Sequence, residues 1–185
     1  MKHTIYFSIL LSALTSNAIA EETRQVDKHE HGVGELNIAI DNNIMDFEFM
    51  IPGADIVGFE YKAKSDQDVA LVNNALSKFE DFNNIFKIPS DAQCKLDFSE
   101  VKINQEEEHD EHDEHDEHDE EVHNEFYAKY SFECGNIKAI NEIEFPYFKT
   151  FPNSGELEVQ FISELGSTSF EVEADEPSIN TEGKI

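Results

Sequence analysis

Basic residues are scarce in this chain: 13 Lys and Arg stand against 41 Asp and Glu in 185 residues, for a formal net charge of -28. A field of that sign repels phosphate backbones and anionic lipid headgroups, which excludes electrostatic binding of nucleic acid, and it draws cations instead. Long apolar runs are lacking as well. The run at the start, Ile5 to Leu14, is too short for the ~20 residues that span a bilayer, and no second stretch approaches that length. Tryptophan is absent, yet 15 Phe and five Tyr supply the aromatic mass of a core. A wholly disordered chain would lack those rings, so the acid must be segregated from a folded body. Cysteine is down to two, the smallest number that closes one internal disulfide.

Lys2 and His3 precede the apolar run, and Asn17-Ala18-Ile19-Ala20 places small residues at both positions a leader peptidase reads. The pattern predicts a signal peptide over residues 1–20 and a mature chain from Glu21, with no Cys there to carry a lipid. Residues 21–185 are expected to be one periplasmic domain that does not insert in a membrane after cleavage. An oxidising compartment favours a structural disulfide over thiolate ligation of a metal. Cys94 opens the alternating stretch Cys94-Lys95-Leu96-Asp97-Phe98, and Cys134 closes the one that starts at Phe126. As antiparallel partners these strands set Cys94 against Cys134, Leu96 against Phe132 and Phe98 against Tyr130, apolar on apolar at each step.

Alternation marks further strands. Leu36, Ile38 and Ile40 share one face of residues 35–41, and Met45, Phe47, Phe49 and Ile51 share one face of 44–51, with Asn42-Asn43 between them suited to a tight turn. The hairpin they form pairs Ile40 with Met45, Ile38 with Phe47 and Leu36 with Phe49. Leu157 to Phe161 and Phe170 to Ala174 alternate around a Leu165-Gly166-Ser167 turn. One helix is predicted: Ser65 is its N-cap, Asp66 and Asp68 suit its first turn, and Val69, Val72, Leu76 and Phe79 recur at helical spacing with Leu71 and Ala75 beside them. About seven strands and one helix give a mainly β (α+β) class. Periodicity leaves an antiparallel β-sandwich and an open barrel-like sheet equally available.

Between the two cysteine strands, residues 104–124 hold twelve acids, five His and no basic residue. The centre is His-Asp-Glu repeated four times from His109 to Glu120. Three-residue repetition builds no core, and like charges with little apolar surface favour a long, extended, disordered loop. Neutral imidazole ligates zinc, and the neighbouring carboxylates can ligate directly or orient the rings. His109, His112, His115, His118 and His123 are therefore candidate Zn²⁺ ligands in several interchangeable sets. Carboxylates beside imidazoles also favour the protonated ring, so metal uptake is expected to weaken as pH falls through the imidazole range. A bare acidic run is usually a solvated face, but the His period is not explained that way. Calcium fits less well, since no EF-hand pattern is present and His adds nothing for a hard cation. Copper, nickel and cobalt remain alternatives at nitrogen ligands.

A second pair, His29 and His31, lies in His29-Glu30-His31-Gly32-Val33-Gly34-Glu35. In extended chain the two rings share a face and can grip one ion, with further donors required from elsewhere. The bland alternative is an exposed tether.

These pieces, in this order, resemble the ZrgA-like family, the zinc-regulated His-rich periplasmic proteins of bacteria. The matching residues are His29-Glu30-His31-Gly32 leading into Gly34-Glu35-Leu36-Asn37-Ile38-Ala39-Ile40, then Ile56-Val57-Gly58-Phe59-Glu60, the helix, the His-Asp-Glu loop between Cys-bearing strands, and Phe151-Pro152 with Leu157-Glu158-Val159-Gln160-Phe161. The resemblance implies a zinc-binding protein made under zinc limitation that works with the solute-binding subunit of a high-affinity zinc ABC importer, with His29, His31 and the loop histidines as its ligands. One departure is Tyr61-Lys62-Ala63-Lys64, where the family often shows His followed by Ala-Pro.

Three functions follow for comparison. The first is a periplasmic protein that scavenges Zn²⁺ and supplies it to an importer, or buffers copper, nickel or cobalt in the same way. The second is a zinc-dependent hydrolase on His29 and His31, which would need a fixed third ligand and a positioned base; neither His-Glu-x-x-His nor Gly-x-Ser-x-Gly is present. The third is a structural or adhesion module with an acidic surface. The first is favoured, and no enzymatic activity is expected.

Overall fold

A computed structural model describes residues 32–106 and 123–185. Strands β1 (Val33–Asp41) and β2 (Ile44–Pro52) form the expected hairpin, pairing Ile40 with Met45, Ile38 with Phe47 and Leu36 with Phe49. Asn42 takes a left-handed φ of 55° in the turn, a conformation its short polar side chain tolerates. A one-turn helix α1 (Gly53–Val57) and the main helix α2 (Asp66–Glu80) follow. Then come β3 (Cys94–Glu106), β4 (His123–Cys134), β5 (Glu142–Glu144), the short helix α3 (Tyr147–Thr150), β6 (Glu156–Ser163), β7 (Gly166–Glu173) and β8 (Ser178–Asn180).

Six strands make one open sheet in the order β3-β4-β2-β1-β6-β7, and β5 pairs with β8 in a small second sheet. Neither closes into a barrel. The body is mainly β, as expected, with short helices at α1 and α3 beside the predicted one. All pairings but one are antiparallel; β1 and β6 run parallel, with Leu36 opposite Val159 and Ile38 opposite Phe161.

The large sheet has one dry face and one wet face, which is what alternation at period two dictates. Leu36, Ile38, Met45, Phe47, Phe49, Tyr130, Phe132, Leu157, Val159 and Phe161 are buried on the dry side. Helix α2 lies over it, capped by the Ser65 hydroxyl, which accepts from the Asp68 amide at 3.1 Å. Val72, Ala75 and Phe79 are its buried stripe, whereas Val69 and Leu71 are exposed. The stripe is thus narrower than hydropathy alone predicts. Phe79 stacks on Phe151 at 4.8 Å, and its carbonyl takes the buried Tyr130 hydroxyl. Phe86 stacks on Phe47 at 4.0 Å between centroids and meets Tyr130 and Phe132 edge-on. Burial pushes the hydroxyls of Tyr130 and Tyr147 well above the ordinary tyrosine range, so both stay protonated.

Cys94 and Cys134 are joined in a disulfide across β3 and β4. The predicted register holds from Cys94/Cys134 to Leu96/Phe132 and then slips by one, so that Phe98 faces Ser131 and not Tyr130. Asp97 is the extra residue of a β-bulge. The slip has a packing reason. It sets Val101 against Ala128 and Ile103 against Phe126, where the unslipped register would have put Glu100 and Lys102. Both apolar residues pack on the core, while Phe98 is left on the wet face, 49% exposed.

A candidate metal centre at one end of the sheet

Strand directions bring four chain segments to one end of the large sheet. β1 begins there at Val33, which pairs with the start of β6 at Glu156. β2 ends there at Pro52, which pairs with Glu125 near the start of β4. β3 ends there too, with Glu106 opposite His123. β2 stands between β1 and β4, so Gly32 and Asn124 are separated by about two strand spacings, roughly 10 Å.

The segment after β2 ties these ends together. Gly53 is required at the turn, because a Cβ there would sit 2.7 Å from the Phe59 carbonyl oxygen and 2.9 Å from that of Asn124. Asp55, in α1, is almost wholly buried and accepts the Gly32 amide at 2.8 Å. The Gly32 carbonyl in turn accepts the amides of Gly155 at 2.9 Å and Glu156 at 2.8 Å, which fixes where β1 enters the sheet. Gly58 closes α1 with a φ of 85° and turns the chain back. Phe59-Glu60-Tyr61 then crosses the start of β4. There the Asn124 amide donates to the Glu60 carbonyl at 2.9 Å, and the Asn124 side-chain amide donates to the Tyr61 carbonyl. Nδ1 of His123 lies 2.7 Å from Oε2 of Glu60. The Tyr61 ring, at the position where family resemblance leads one to expect His, stacks on Phe59 at 4.5 Å.

Of the residues predicted as ligands, His123 is the one on a described strand. His29, His31, His109, His112, His115 and His118 lie outside the described residues. The segment that carries His29 and His31 joins the described body at Gly32, and the acidic segment joins it at Glu106 and His123, all at this same end. Residues 104–106 and 123–124, counted with the loop from sequence, are strand residues. Among the described residues no three His, Cys, Asp or Glu side chains converge closely enough to hold a metal. Asp55 and Glu60 carry no periodic signal and were not singled out from sequence; only the carboxylates' contacts identify them.

No helix among the described residues is long and apolar enough to cross a membrane. A search among curated proteins returns no match. A model of the ZrgA family of zinc uptake proteins matches residues 28–181, from the residue before His29 to the strand that closes the small sheet. The span takes in the sheet, the cysteine strands, the acidic segment and the end where Asp55, Glu60 and His123 gather, and the chain belongs to the ZrgA family of zinc uptake proteins.

Proposed function

We propose that this protein scavenges Zn²⁺ in the periplasm under zinc limitation and supplies it to a high-affinity import system, through the solute-binding subunit of a zinc ABC importer. One observation carries the proposal beyond family membership: both His-bearing segments join the folded body at one end of the sheet, at Gly32 and at His123, with Asp55 and Glu60 between them. Residues 1–20 act as the leader that exports the chain. His29 and His31 from one side, and His109, His112, His115, His118 and His123 from the other, are the ligands. Exchangeable imidazole and carboxylate donors suit release as well as capture, because no single set must be dismantled to pass an ion on.

Calorimetric titration of the processed chain, beginning at Glu21, tests the proposal. Several equivalents of zinc are expected at neutral pH, with uptake weakening as pH falls through the imidazole range, where protons compete for the ring nitrogens. Replacing His109, His112, His115 and His118 by Asn is expected to remove most of the equivalents while leaving the circular dichroism spectrum unchanged. Absence of any heat with zinc at neutral pH overturns the proposal. Tighter binding of copper or nickel under competition would reassign the cargo.

A further inference from the structure

We infer that Glu60 is a positioning residue for zinc capture: its carboxylate holds the proton of His123 at Nδ1 and so presents Nε2 of that ring as a ligand atom on the folded body. The inference rests on the zinc proposal above and adds an ordered donor to it. Zinc-bound histidines commonly place their second nitrogen on a carboxylate, which fixes the tautomer and the ring plane and raises the basicity of the ligating nitrogen. The His123–Glu60 contact at 2.7 Å is of that kind. Its two partners also stand on restrained backbone. Glu60 is held through its carbonyl by the Asn124 amide, one residue from His123, and Tyr61 through its carbonyl by the Asn124 side chain. Behind them the chain path is fixed by the close approach at Gly53 and the left-handed turn at Gly58.

A His–Glu pair on a protein surface contributes little to stability. The Glu60 side chain, however, is only 14% exposed while the His123 ring is 36% exposed, so the carboxylate forms the inner wall and the ring faces outward. That arrangement orients a ring toward an incoming ion. Among the described residues His123 is the one histidine, so this pair has no counterpart there; on the wet face the Lys129 and Lys102 ammonium groups pair with Glu48 and Glu100.

Competition titration of zinc against a chromophoric chelator, on the full processed chain, measures the tightest equivalent. Glu60→Ala is expected to weaken it about 10- to 100-fold, and Glu60→Gln, which keeps shape and an acceptor but not the charge, by the smaller part of that loss. In a His123→Ala background the Glu60 substitutions are expected to have no further effect. A merely structural contact would not move the second readout. In long-range proton–nitrogen spectra at alkaline pH, His123 should carry its proton on Nδ1 in the wild type and on Nε2 in Glu60→Ala. A chain that binds zinc with unchanged affinity and an unchanged His123 tautomer in Glu60→Ala overturns the inference and leaves the zinc proposal standing; a wild-type chain that takes up no zinc sinks both. Should Glu60→Ala fail to fold, Glu60→Gln decides, and zinc affinity equal to wild type overturns the inference.

Discussion

The two ends of the β3–β4 pair are built from opposite chemistry. At one end Cys94 and Cys134 are covalently joined, Phe132 is wedged between Phe82 and Phe86, and the Asn136 amide closes on the Ala92 carbonyl. At the other end Glu106 is paired with His123, and a turn of polar contacts through Glu60, Asn124 and Asp55 runs beside the stacked Phe59 and Tyr61 rings. Thirteen residues of strand separate them, a length of about 40 Å. On the proposed reading, the difference assigns shape to one end of the pair and zinc capture to the other. Both sulfurs are joined in the disulfide at the opposite end of β4 from His123, so neither is a free thiol.

The largest expected effect comes from opening the covalent end. Cys94→Ser with Cys134→Ser should destabilise the fold by about 4 kcal/mol, the loop-closure value for a bridge spanning 40 residues, measured by urea denaturation. Zinc stoichiometry of the still-folded fraction should not change, and a parallel loss of zinc would end the separation of roles. At the polar end, Asp55→Ala leaves the Gly32 amide without its carboxylate acceptor and should cost about 1–3 kcal/mol. Hydrogen exchange should localise the loosening to the start of β1, leaving the amides beside the disulfide protected. The smallest effect belongs to the wet face. Tyr127 donates to Glu48 at 3.1 Å, and burial, followed by the Glu48 charge, pushes its hydroxyl up to about 12. The fold therefore favours the protonated ring, a contribution that is complete below the unfolded value of about 10 and lost as pH rises through about 12. Tyr127→Phe should cost about 1 kcal/mol or less at neutral pH and flatten that alkaline decline in thermal melts.

Local pattern made much of the body legible. The β1–β2 hairpin follows from two alternating runs around Asn42-Asn43, the α2 cap from Ser65 with Asp68, and the disulfide from two cysteines that each border an alternating strand. What escaped has non-local causes. The bulge at Asp97 interrupts a run whose alternation looks unbroken, and it is settled by the needs of Val101 and Ile103 further along β3. Pairing of β1 with β6 joins residues from distant parts of the chain, which no window of sequence contains. At the end that bears His123, that residue was legible because histidine repeats draw attention. Glu60 was not, for it is one carboxylate between two aromatics, and its meaning comes from a partner that only the fold supplies.

The parallel contact of β1 with β6 also governs when the molecule can come together. Val33 waits for Glu156, so the first strand pairs with its hairpin mate early but gains its second neighbour only after nearly the whole polypeptide exists. Loop-closure entropy must be met before that contact contributes, which slows assembly and ties it to completion of synthesis. Until β6 has been made, the large sheet can hold only the four strands β3-β4-β2-β1, with β1 left as an open edge.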